Sequence, residues 1–117
     1  MPQKLKIAVK PTFSAPVVMR LPGDEGGVVE VKFSAVFRRL SKTENLELEA
    51  RLTARTITDA EVLDLVLVDW SGLVDEADMP FVFNDGNRTA AVEEWPRFEA
   101  SIVMSYFEHL NPAIEKN

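Results

Sequence analysis

Along the first third of the chain, apolar and polar residues alternate with a period of two, the pattern of half-buried strands. In "LKIAVK", Leu5, Ile7 and Val9 take one side and Lys6, Ala8 and Lys10 the other. "PTFSAP" is bracketed by prolines and reads as a connector. "VVMRL" and "VVEVKFSAVF" flank "PGDEGG", a cluster that permits tight or positive-φ turns, so the three pieces predict an antiparallel hairpin with a loop longer than two residues. In its second arm Val29, Val31, Phe33, Ala35 and Phe37 share one face, and Glu30, Lys32 and Ser34 the other.

After residue 40 the period becomes helical. Ser41 stands three residues before Glu44, the spacing of a capping box, and opens a helix through "SKTENLELEARLTAR". Leu46, Ala50 and Thr53 form one stripe of it, with Leu48 and Leu52 beside them. Thr58 to Glu61 gives a second start signal before "VLDLVLVDW". Val62, Leu65 and Val66 make one stripe there, and Leu63, Leu67 and Trp70 another, which predicts a helix buried on much of its circumference. A strand for "VLVDW" is the alternative, and Gly72 is placed to stop the element in a left-handed conformation. "LVDEADMPFVFNDGN" is then a loop, with Asn84 or Asp85 capping a short helix through "RTAAVEEW". Pro96 suits the first turn of a last helix, along which Phe98, Ile102, Tyr106 and Leu110 align with Val103 and Phe107 alongside. Asn111-Pro112 ends that helix.

These elements give an α+β fold: an N-terminal antiparallel β-hairpin or small sheet followed by three to four helices. A chain of 117 residues is the length of one domain, with a strand-rich region over 1–40, a helical region over 41–110 and a tail over 111–117. A net charge of −6, with "FRRLSK" as the one dense basic spot, argues against nucleic acid as a partner. Without cysteine there is no thiol nucleophile, Cys-based zinc site or disulfide, as suits a reducing cytoplasm. No apolar run approaches the roughly 20 residues of a membrane span, and the N-terminus lacks the apolar core of a signal peptide, so no membrane association is expected.

Candidate chemistry changes this picture little. A calcium loop counted from Asp75 would place Ala77 at the third position and Pro80 at the sixth, where an oxygen ligand and a glycine are required. Ser71 is flanked at two residues' distance by Asp69 and Leu73, where a nucleophile elbow has glycines. The sole histidine, His109, sits near a helix C-terminus, a favourable place for a cation and one without a nominated catalytic partner. Glu93 and Glu94 are adjacent on a helix and diverge, and "PGDEGG" has no lysine to cradle phosphate. No catalytic, metal or cofactor set emerges. Trp70 reads as a core plug whose indole N–H finds a carbonyl; Trp95, on a more polar helix, is a candidate partner contact together with Phe107. The hairpin arm makes Val29, Val31 and Phe33 candidates for self-association through a strand edge.

In their order, "FSAVFRRLSKTENLEL", "TDAEVLDLVLVDWSGLVDEADMPFVFNDGN" and "FEASIVMSYFEHL" resemble the tail assembly chaperones of long-tailed bacteriophages and prophages. The likeness runs from about Val28 to Asn117 and is tightest at Asp69-Trp70-Ser71-Gly72-Leu73, followed by Asp75-Glu76 and Pro80-Phe81. It implies a non-enzymatic protein of the bacterial host's cytoplasm, without cofactors, that binds the tape-measure protein, promotes tail-tube assembly around it and forms a homo-oligomer. The alternatives are a structural tail protein, such as a tube or terminator subunit, and a small regulator that binds a host partner.

Overall fold

The computed structural model describes residues 10–110, so all but the last residue of the expected strand Leu5–Lys10, and the tail after Leu110, lie outside the described residues. The fold is α+β: a three-stranded antiparallel sheet in the order β1-β2-β3, with four helices. The strands are β1 (Thr12–Pro22), β2 (Val28–Arg38) and β3 (Leu67–Ser71); the helices are α1 (Lys42–Thr53), α2 (Asp59–Val66), α3 (Asp85–Glu94) and α4 (Phe98–Leu110).

β1 and β2 form the expected hairpin, in a register that sets Val17 opposite Phe33 and Met19 opposite Val31. "PTFSAP" is not a connector: all but its first residue belong to β1, which runs unbroken through Pro16. Pro16 is tolerated because β1 is an edge strand and a residue at this register position has no N–H to offer β2. Ala15, Val17 and Met19 point inward from β1 and Phe33, Ala35 and Phe37 from β2, all buried.

Both helix-start signals are realised. Ser41 Oγ accepts from Glu44 N–H at 3.1 Å while the Glu44 carboxylate accepts from Ser41 N–H at 2.8 Å, and Thr58 and Glu61 repeat the exchange. The stripe expected for α1 is displaced. Leu46, Ala50 and Thr53 face solvent, and Leu48 with the half-buried Asn45 and Leu52 faces the core. The reason is Tyr106, whose fully buried hydroxyl donates to Asn45 Oδ1 at 2.6 Å and thereby fixes the rotation of α1.

The long helix expected through "VLDLVLVDW" stops at Val66, and the strand alternative holds for its second half. β3 pairs with the lower half of β2, Ser71 opposite Ser34 and Trp70 opposite Ala35, with an irregularity between Val36 and Phe37. Gly72 has φ of +89°, the left-handed conformation anticipated, yet it ends a strand rather than a helix. Val62, Leu63 and Val66 are buried as two-stripe packing requires, whereas Leu65 is exposed. α3 starts at Asp85, and of the two anticipated caps Asn84 serves, its Oδ1 accepting from Asn87 N–H at 2.7 Å. Pro96 precedes α4 by two residues instead of lying in its first turn. α4 crosses β1 and α2, and its Phe98, Ile102 and Tyr106 are fully buried in the core between them.

Candidate functional site

Trp70 anchors one side of the core. It is 4% exposed, its Nε1–H donates to Phe81 O at 2.6 Å, and its ring meets Phe83 and Phe98 edge-on at 4.9 and 5.4 Å. The sequence expectation of a core plug with a carbonyl partner holds. That hydrogen bond also ties down the loop after β3. Val74 and Pro80 make an isolated bridge, Phe81 N–H donates to Leu73 O, and Asp75 Oδ1 accepts from Ala77 and Met79 N–H. "VDEADMP" is therefore a closed turn, with Asp78 in the left-handed conformation that aspartate tolerates.

The turn and α3 enclose a groove of about 480 Å³, lined by Val74, Asp75, Glu76, Phe81, Ala91, Glu94 and Trp95 among others. Trp95 is half-buried at the end of α3, edge-on to Phe81 at 5.9 Å and tilted on Phe98 at 5.8 Å. The floor is aromatic and aliphatic; Asp75, Glu76 and Glu94 stand exposed on the rim with no ion-pair partner among the described residues. Such a surface suits an apolar side chain flanked by cations. Sequence reasoning selected Trp95 but missed the rim and Phe81; the signal was present in the acidic pair beside Pro80-Phe81, which reads alone as a solvated loop.

The other selected residues lie elsewhere. Phe107 is half-buried against the core, edge-on to Tyr106 at 5.0 Å, and does not line the groove with Trp95. Phe33 is a core residue, stacked on Phe98 at 5.9 Å, while Val29 is half exposed and Val31 lies between them. Thus Val29, Val31 and Phe33 run from solvent into the core along one strand face.

Among the described residues two groups have shifted titrations, both for structural reasons. Burial raises the Tyr106 phenol to about 12, against the opposing effect of its bond to Asn45. The backbone hydrogen bond from Ser41, then that from its side chain, hold the exposed Glu44 carboxyl below its ordinary value. His109 Nδ1 lies 2.9 Å from Ser105 O, and Ser105 Oγ donates to Pro16 O at 2.6 Å, so the sole histidine sits at a helix–strand contact. No helix among the described residues is long and apolar enough to cross a membrane, and none of their His, Asp and Glu side chains cluster as a metal site would.

Comparison with curated proteins returns no match, and neither does comparison with solved structures. A family model described as phage tail assembly chaperone matches residues 1–117, from one end of the sequence to the other. With that coverage, and with a fold that carries the ordered elements on which the resemblance rests, the chain belongs to the phage tail assembly chaperone family.

Proposed function

We propose that this protein serves tail assembly by binding the tape-measure protein and promoting polymerisation of the tail tube around it, as a binder and not as a catalyst. Family membership supplies the assembly role. The observation that carries the finer reading is the groove beside Trp95: an aromatic floor within an acidic rim, the counterpart of a helix with an apolar stripe and basic neighbours. Phe107, half-buried on α4, is the second candidate contact with the client.

The test is co-expression of the full chain with the tape-measure protein of its own phage, followed by co-purification. The wild type should keep that protein soluble and hold it. Glu94→Lys reverses a rim charge at an exposed position and should weaken capture about tenfold while leaving the circular dichroism spectrum intact. Trp95→Ala removes the floor and should weaken it further, although part of that loss reflects its core contacts. Failure of the wild type to bind the tape-measure protein, or detection of the chain as a stoichiometric part of finished particles, overturns the reading.

A further inference from the structure

The net charge of −6 conceals two oppositely charged parts. Residues 1–40 hold seven Lys and Arg against three Asp and Glu; residues 41–117 hold six against sixteen. The excess of cations belongs to the hairpin, and the fold puts much of it on one surface. In β1 and β2 the odd-numbered side chains face the helices, with Val17, Met19, Phe33 and Phe37 buried. The even-numbered ones face the other way. All of them are exposed or half-buried, so no described helix covers them.

The register lays out this open face. Val18 stands opposite Lys32, Pro16 opposite Ser34 and Ser14 opposite Val36, and Arg38 closes the lower end opposite Thr12. β3 adds Ser71 and Asp69 beside Ser34 and Val36. The middle of the face is therefore small and aliphatic. Lys32 and Arg38 stand at its two ends, about 20 Å apart along β2. Neither has an ion-pair partner among the described residues. The carboxylates of the face are engaged: Glu30 pairs with Arg20 at 3.2 Å, and Asp69 accepts from Trp70 N–H at 2.8 Å.

We propose that this open sheet face docks an acidic amphipathic helix of a partner protein. Carboxylates at its two ends meet Lys32 and Arg38, and an apolar stripe between them lies on Val18 and Val36. The docked segment is helical because a sheet face, unlike a sheet edge, offers no backbone groups to a strand laid on it, whereas a helix satisfies its own. At a helical rise of 1.5 Å per residue the two acidic groups stand about thirteen residues apart. Single-stranded nucleic acid is the other polyanion that sheets bind, and it needs aromatic side chains on which its bases stack. This face has none among the described residues, and the acids of the helical region repel a phosphate backbone. The face carries the opposite charge to the groove beside Trp95 and stands independently of the tape-measure reading.

The test is fluorescence anisotropy of the full chain with a labelled helical peptide of about sixteen residues, carrying paired glutamates at each end and leucine and alanine between. The peptide should bind saturably at low salt and about tenfold more weakly at high salt. Lys32→Glu combined with Arg38→Glu should weaken binding at least about tenfold, with the circular dichroism spectrum unchanged; Lys32→Gln with Arg38→Gln should weaken it less. Glu94→Lys, at the other surface, should leave it as it is. A twin peptide with lysine in place of glutamate should not be weakened by either double change. Absence of saturable binding by the glutamate peptide overturns the proposal, as does binding that survives the double reversal. Displacement of the peptide by an equal concentration of a short single-stranded oligonucleotide overturns it in favour of nucleic acid. Loss of peptide binding as the chain is concentrated overturns it in favour of a second copy as the occupant.

Discussion

The two halves of the hairpin have the same alternation and different fates. In the lower half, Ala35 and Phe37 are fully buried, β3 closes the outer edge of β2, and Phe13, Phe37 and Tyr106 pack ring against ring. In the upper half, Val29 on the same face is 50% exposed, although its residue type is that of a core strand. The sequence of β2 does not change character along its length; what changes is what lies over it. α4 follows β1, so Met19 is fully buried while its cross-strand partner Val31 is only partly so. Alternation specifies which side chains share a face, and only the neighbouring element decides whether that face is dry.

The largest way to break this contrast is to empty the lower core. Phe98 is fully buried against Phe33, Trp70 and Trp95, so Phe98→Ala should cost about 3–5 kcal/mol in urea denaturation, enough to unfold much of a small domain's population. Alkali attacks the same region through Tyr106. Its folded-state pKa of about 12 lies above the ordinary 10, so the protonated phenol is favoured by folding. Stability on this account is fully present below pH 10 and declines as the pH rises from 10 towards 12. Tyr106→Phe should abolish that decline in thermal melts, at a cost of about 1 kcal/mol for the bond to Asn45.

How much of this was legible beforehand depended on whether the information was local. Capping boxes at Ser41 and Thr58 are written within four residues and were readable, as were the face of β2 and the inward stripe Phe98, Ile102 and Tyr106. The rotation of α1 was not. It is set by Asn45 meeting a tyrosine 61 positions away, and the leucines Leu46, Leu48 and Leu52 offer two overlapping stripes. Nor was the break at Val66 decided by period, because Val62 to Trp70 is apolar enough for either a buried helix or a strand; pairing with β2 decides it. The groove had a legible member in Trp95, but its rim depends on the Trp70–Phe81 bond folding the acidic turn back towards α3.

Smaller effects sharpen the comparison. Ser41→Ala removes the cap of α1 and should cost about 1 kcal/mol by chemical denaturation. The Glu44 carboxyl is held below its ordinary value by the same box, so its contribution is present above the ordinary carboxylate range, near pH 4.5, and lost as pH falls through the depressed folded value. Ser41→Ala keeps the backbone N–H that is the larger cause, so Glu44→Gln is the change that should remove the acid sensitivity of α1 helicity, read by circular dichroism.

The smallest expected effect on stability is also the most discriminating for the upper hairpin. Val29→Thr keeps a β-branched side chain, places a hydroxyl where half the residue already meets water, and leaves every hydrogen bond to β1 in place. The melting temperature of the dilute protein should move by no more than the equivalent of about 0.5 kcal/mol. The same change at Phe33, four residues further along the same face but 6% exposed and stacked on Phe98, should cost several-fold more, because it opens a cavity and buries a hydroxyl among rings. If Val29 proved as costly as Phe33 in the monomer, the upper face would be covered in solution and the contrast between the halves would vanish. If Val29→Thr is silent in dilute solution but lowers the melting temperature at high protein concentration, where a second strand is in reach, the apolar residue at that position serves contact between molecules rather than the fold of one.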